Sequence, residues 1–295
     1  MSQQNRKNRK TRFFALAFAL SFFTLAMMGL IVVFVFNPLP ENPVSSQISA
    51  DTFYLPQKED NLTVLLVGRG ARKEDLPLFA LVRLDMLGGR IPVVLFPAQT
   101  ILHGETGFST LEDAYEKEGA RAVAKALSDS FSVPVDRYAD MDSQAIIDGV
   151  NRIGVAEYEL AESLSYNENG IFISLSAGRQ LIDGQKFLDI LRYPAYGGGA
   201  LQQCEEGAKL IASYLNSRLD TFLGRNAEAL VGGLLDLADT DISYLDFQSR
   251  LPALTFLSKL SGDPSVPHAL TGGWNKAGEF VPDAAARRRL VQAFA

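Results

Sequence analysis

The chain of 295 residues holds one cysteine, Cys204, two histidines, His103 and His268, and one tryptophan, Trp274. A lone cysteine excludes an internal disulfide and any zinc site built on several thiolates. Two histidines exclude a mechanism that needs a histidine cluster. Acidic residues are missing from the start of the chain. Residues 1–12 carry Arg6, Lys7, Arg9, Lys10 and Arg12 with no acid, which leaves 23 basic against 34 acidic residues, a formal −11, for the remainder. General nucleic-acid binding rests on Lys and Arg neutralising phosphates, so no nucleic acid is expected as a partner. Any phosphate must be held by a local basic pocket. Disorder as the main state is excluded as well, because 47% of residues are hydrophobic and 21% charged.

Phe13–Phe36 is 24 residues without a charged side chain. At about 1.5 Å per residue such a helix crosses a hydrocarbon core of about 30 Å. A cleaved secretory signal would have a shorter apolar region and a small-x-small site behind it, whereas this run ends in Asn37-Pro38-Leu39-Pro40. The expectation is an uncleaved anchor. The basic tail 1–12 places the N-terminus in the cytoplasm and the rest outside the cell membrane. Residues 37–58, rich in Pro, Ser and Gln, read as a linker to an extracytoplasmic domain over 59–295.

That domain opens with three β-branched-rich apolar runs, Leu62–Val67, Leu78–Leu84 and Ile91–Phe96. Their continuity fits central strands covered on both faces, and Gly88-Gly89 makes the second and third a hairpin. Ser109-Thr110-Leu111-Glu112 is a capping-box pattern that predicts a long helix carrying Ala114, Tyr115, Ala122, Val123, Ala126 and Leu127. A strand over Arg137–Met141 and a helix over Ser143–Ile153, stopped by Gly154, follow. Short strands are predicted at Ala156–Leu160 and Ile171–Leu175. Helices are predicted from Asp183-Gly184-Gln185 through Leu191, over Leu201–Phe222, about 226–238 and 244–257, and over Asp283–Phe294. The class is α/β, a three-layer α/β/α sandwich with a mixed central sheet, preceded by one transmembrane helix.

The order of these elements, with the segments MDSQAIIDGVNRIG, LIDGQKFLDILRY and GEFVPDAAARRRLVQAF, resembles the LytR-CpsA-Psr family, the cell-envelope-related transcriptional attenuator domain. The likeness runs over about 60–295. It implies a bacterial envelope protein, and for many members the transfer of a glycopolymer from a polyprenyl-pyrophosphate carrier to peptidoglycan. It further implies a hydrophobic tunnel for the prenyl tail, arginines on the pyrophosphate, and acidic residues holding Mg2+.

The chain departs from that pattern where the chemistry would lie. The family's strand-end motif Ser-Ile-Pro-Arg-Asp-Thr corresponds to Leu95-Phe96-Pro97-Ala98-Gln99-Thr100, with Ala98 and Gln99 in place of arginine and aspartate. The family's earlier Arg-Ser-Asp-Thr motif falls near Lys73-Glu74-Asp75-Leu76 or, counting back from Leu84-Asp85, puts Pro77 at the acidic position, and Gly197–Gln203 contains no arginine where the family's arginine-rich segment falls. A pyrophosphate buried without paired cations costs several kcal/mol per ion. The candidates left for catalysis are Asp75, Arg72 and Arg192, with Asp75 also the candidate metal ligand. Arg69, Lys73, Arg83 and Arg192 are the candidate ligand-binding residues. The plain alternative for each is a solvated surface charge.

The function expected is therefore that of a non-catalytic or strongly divergent member. It would bind a polyprenyl-linked or cell-wall glycopolymer, or a partner in wall assembly, with no cofactor. The alternative is an active glycopolymer–peptidoglycan phosphotransferase, for which Mg2+ would be required. Expected partners are membrane lipid through the anchor, and polyprenyl phosphate lipid, peptidoglycan or wall glycopolymer. A transcriptional regulator fits poorly, because an acidic domain outside the membrane has no route to DNA. Cys204, beside Glu205 and Glu206, reads as a small buried residue, and Gly197-Gly198-Gly199 as a turn. His103, Tyr196 and Trp274 carry no stronger reading than packing or solvation.

Overall fold

A computed structural model describes residues 54–70, 72, 75–103, 107–168 and 170–295. The expected tail, the transmembrane helix over 13–36 and most of the linker lie outside these residues. Among the described residues no helix is long and apolar enough to cross a membrane. Tyr54–Ala295 forms one compact unit.

The three apolar runs form β1 (Leu62–Gly68), β2 (Leu78–Leu84) and β3 (Ile91–Phe96). β1 pairs antiparallel with β2, and β2 with β3. The turn between β2 and β3 is closed by Asp85, which bonds Arg90 Nε at 2.9 Å and accepts from Gly88 N–H at 3.0 Å. β4 (Arg137–Met141) runs parallel to β1 on its other side. The short β9 (Asp239–Thr240) and β10 (Ser265–His268) complete a mixed six-stranded sheet in the order β10-β3-β2-β1-β4-β9.

Helices cover both faces of this sheet. α1 (Leu111–Phe131) and α7 (Ala284–Phe294) pack on one, and α2 (Ser143–Ile153), α3 (Gly184–Leu191) and α4 (Gly199–Arg218) on the other. α5 (Ala227–Leu235) and α6 (Tyr244–Ser258) close the end near β9. Strand alternation assigns each residue its layer. Leu65, Val67, Phe79, Leu81, Val94 and Phe96 face α1 and α7, whereas Leu66, Ala80, Val93 and Leu95 face the other helices.

Caps explain where most helices start. Asp142, Asp183 and Asp283 accept from the backbone N–H of Ala145, Lys186 and Ala286, supplying three N-caps. The cap of α1 is Thr110, bonded by Asp113 N–H, one residue later than the Ser109 box implied. α1 is broken at Gly119, whose φ of 75° only glycine adopts freely. α4 starts at Gly199 rather than Leu201 and gives way at Leu219 to a 3-10 turn through Leu223. It lies closest to the sheet at Gly207, where a Cβ would sit 2.6 Å from Leu95 Cδ2.

Two further antiparallel pairs pack against α3 and α4. β5 (Ala156–Leu160) pairs with β8 (Gly178–Ile182), and β6 (Leu164–Glu168) with β7 (Ile171–Leu175). A last hairpin, β11 (Gly272–Trp274) with β12 (Phe280–Pro282), is stitched to the end of β3 by Phe280 N–H bonding Gln99 O at 2.9 Å.

Candidate functional site

The face of the sheet under α2–α4 is not filled. A cavity of about 420 Å³ runs along it, floored by three register pairs, Leu62–Leu84, Leu66–Ala80 and Gly68–Leu78. Six residue steps of β1 at about 3.3 Å each make it roughly 20 Å long. Its walls are apolar side chains of α2, α3, α4 and α5, such as Ile146, Val150, Phe187, Ile211, Leu215 and Leu234. Among the described lining residues the only charged side chains are Arg218, Asp246 and Arg250.

A second cavity of about 360 Å³ adjoins the first at Leu78, which lines both. It gathers Arg72, Asp75 and Arg192 with Pro97, Ala98, Gln99 and the start of α4. Tyr166 and Ile171 of the β6–β7 hairpin form its rim. The three candidate catalytic residues are thus neighbours, although two come from the segment after β1 and one from the end of α3.

Their electrostatics are closely linked. Asp75 receives Arg72 Nη2 at 2.6 Å, Nε at 3.0 Å and the Arg72 backbone N–H at 3.0 Å. Burial alone would raise the Asp75 carboxyl, but these bonds and the charge of Arg192 hold it below the usual carboxylate range. Arg192 donates from Nη2 to Gly68 O at 3.0 Å, and its Nε is buried without an acceptor. Burial lowers its pKa, with Asp75 opposing. Arg192 therefore stands at the junction of the cavities, held by a carbonyl that lines the apolar one.

The remaining candidates lie elsewhere. Arg83 is buried and donates to Thr63 Oγ1 at 3.1 Å, Phe294 O at 3.0 Å and Ala295 O at 3.1 Å, which commits it to holding the end of α7. Arg69 lines neither cavity. Its Nε lies 3.0 Å from Asp140 Oδ1 without hydrogen-bond alignment, so the contact is an ion pair only. Lys73 lies outside the described residues. Cys204 is buried in the wall of the polar cavity, and burial pushes its thiol up to about 12, which makes it inert. His103 meets neither cavity, and Trp274 leans on Phe280 from an exposed hairpin.

One pairing escaped the sequence. Tyr115 Oη donates to the buried Asp140 Oδ2 at 2.8 Å. Burial raises the Asp140 carboxyl, partly offset by Tyr115 and Arg69. α1 and β4 are separately visible in the sequence, but nothing in it brings these two side chains together.

The donor set does not fit a magnesium site. Asp75 is the single acid among the described residues of the polar cavity, and Arg72 already occupies it. Among the described residues no three His, Cys, Asp or Glu side chains converge.

The LytR_cpsA_psr family model matches residues 93–215, a stretch that runs from β3 into α4 and includes part of the wall of both cavities. Over that stretch, 123 of the 295 residues, the chain matches the LytR-CpsA-Psr family. No curated protein matches it in sequence. Solved structures share the fold. A candidate transcription regulator from Eubacterium siraeum superposes with a TM-score of 0.73 at 16% identity, covering 84% of this chain and 96% of its own. TagV of B. subtilis gives 0.63 at 17%, covering 81% and 97%, and TagU of B. subtilis 0.55 at 15%, covering 79% and 94%. Within the matched stretch, Ala98 and Gln99 stand at the wall of the polar cavity.

Proposed function

We propose that the protein is an envelope component anchored in the cell membrane by residues 13–36, binding a polyprenyl-phosphate type lipid of wall glycopolymer assembly without transferring it. One observation carries the reading: an apolar cavity adjoins, at Leu78, a cavity bearing Arg72 and Arg192, and Arg192 bonds Gly68 O in the apolar wall. A prenyl chain suits the first, where burial of each CH2 contributes about 0.8 kcal/mol. A phosphate suits the second, because the Arg192 Nε lacks an acceptor.

The non-catalytic part of the proposal rests on charge. Arg72, Arg192 and Asp75 sum to a formal +1, whereas a pyrophosphate carries at least two negative charges. Asp75 is bonded to Arg72, its pKa is lowered, and it is poorly placed to take a proton from an acceptor hydroxyl. The transferase reading keeps one point in its favour, the gathering of Arg72, Asp75 and Arg192 in one cavity.

Native mass spectrometry of the compact unit 54–295 with decaprenyl phosphate and decaprenyl diphosphate, with and without Mg2+, tests both. The expected result is bound lipid indifferent to Mg2+, with Arg192→Gln weakening it about ten-fold or more, the range for a hydrogen bond to a charged group. Diphosphate bound only with Mg2+, and transferred to added peptidoglycan, would establish the enzyme instead. No lipid in any condition would remove both readings.

A further inference from the structure

The apolar cavity has a second end, and its chemistry is at odds with a purely hydrocarbon occupant. α4 touches both cavities: Gly199, Ala200, Gln203 and Cys204 line the polar one, and Ile211, Tyr214, Leu215 and Arg218 line the apolar one at helical spacing. At about 1.5 Å per residue, Arg218 lies roughly 21 Å along the helix axis from Cys204. It therefore marks the end of the cavity remote from Arg72 and Arg192.

The charged groups at that end are not alike. Asp246 is satisfied by Arg137 Nε at 3.1 Å, Arg137 Nη2 at 3.0 Å and Ser243 Oγ at 2.7 Å. Arg250 spends its donors on Asp60 O at 3.1 Å, Asp246 O at 2.9 Å and Glu59 O at 3.2 Å. Arg218, by contrast, has no ion pair or hydrogen bond among the described residues, and its Nε is buried. Tyr214, one turn earlier on α4, directs its hydroxyl to Val150 O at 2.9 Å and Gly154 O at 2.7 Å and makes no hydrogen bond with Arg218. A buried donor without an acceptor is rare in folded proteins and points to a missing partner.

We infer that the Arg218 end takes the anionic end group of a single-chain amphiphile, whose hydrocarbon lies along β1 toward Leu78. This rests on the reading above that the cavity holds a lipid chain, and it adds a second ligand class entering from the opposite end. Such an amphiphile and a prenyl phosphate would compete for the same apolar volume, so that occupancy by one excludes the other. The end group is a carboxylate or a phosphate, since either accepts from a guanidinium.

The full chain in maltoside micelles would be incubated with palmitate, hexadecyl phosphate, hexadecanol or inorganic phosphate and read by native mass spectrometry. Expected is binding of palmitate, of hexadecyl phosphate, or of both, at least about ten-fold tighter than hexadecanol, with no binding of inorganic phosphate. For palmitate, Arg218→Gln should abolish the preference and Arg218→Lys should restore part of it. The ratio of palmitate to hexadecyl phosphate identifies the end group. Because Arg218 makes no bond to the protein, the variants should melt with the wild type.

Equal binding of acid and alcohol, or a preference that survives in Arg218→Gln, would overturn the inference. Decaprenyl phosphate measured in parallel separates the two readings. Its binding without palmitate preference would sink this inference alone, and loss of all chain binding would sink the proposed function.

Discussion

Leu65 and Leu66 are neighbours on β1 and point to opposite faces of one sheet. Leu65 is fully buried beneath α1 and α7, in a cluster whose aromatic members Phe96 and Phe131 meet at 5.7 Å. Leu66 is partly buried and looks into the 420 Å³ cavity. Identical side chains, one residue apart, thus serve a packed layer and an open one. Close packing maximises contacts per side chain, whereas a ligand cavity gives them up. One layer of this sandwich is closely packed and the other leaves a cavity.

The strongest test of that division is to truncate both leucines. Leu65→Ala is expected to cost about 4 kcal/mol and Leu66→Ala about 2 kcal/mol in urea unfolding of the compact unit, the spread seen between sites that cannot and can relax. Equal costs would mean the open face is as tightly used as the packed one.

A smaller effect is expected at Asp246, in the wall of the cavity. Burial alone would raise its carboxyl, but the bonds from Arg137 and Ser243 bring it to about 2. A folded pKa below the unfolded one stabilises above pH 3.8, and that stability is lost as pH falls through about 2. Asp246→Asn should therefore cost about 2 kcal/mol at pH 7 and progressively less between pH 4 and pH 2. A difference between the variants that stays constant with pH would assign the cost to packing rather than charge.

The smallest effects sharpen the comparison by matching the helices. Asp283 caps α7 on the packed face and Asp142 caps α2 on the open face, through bonds of 2.7 and 2.8 Å. Each change to Ala should cost about 1 kcal/mol by thermal unfolding. Similar values would locate the difference between the faces in side-chain packing, and a large disparity would locate it in the helices.

The sequence reading succeeded where the signal was local and failed where it was relational. β2 and β3 have the expected bounds because their apolar runs are bracketed by turn residues, and α2 and α3 because an aspartate cap precedes a periodic stretch. β6 and β8 escaped because only alternate or terminal positions are apolar, and β10 because Pro267 interrupts it. β10 exists through its pairing with β3, Ser265 opposite Ile91, a partnership far apart in the chain. The site divides the same way. Arg192 and Asp75 were nameable from their motifs, but Arg83 was indistinguishable from them until its carbonyl partners were located. Core and cavity share one apolar pattern, so the volume beside Leu66 had no signature at all.

Gly207 touches neither cavity, yet it governs both. It lies near the middle of α4, where the missing side chain lets the helix rest against Leu95 and Leu191. A rod seated at its midpoint has a fulcrum. Cys204 rides on one arm of it and Arg218 on the other, so any tilt that widens one chamber changes the other in the same movement. A single methyl at position 207 would meet Leu95 Cδ2 at 2.6 Å, and the Leu95 side chain, itself part of the cavity lining, would have to turn aside.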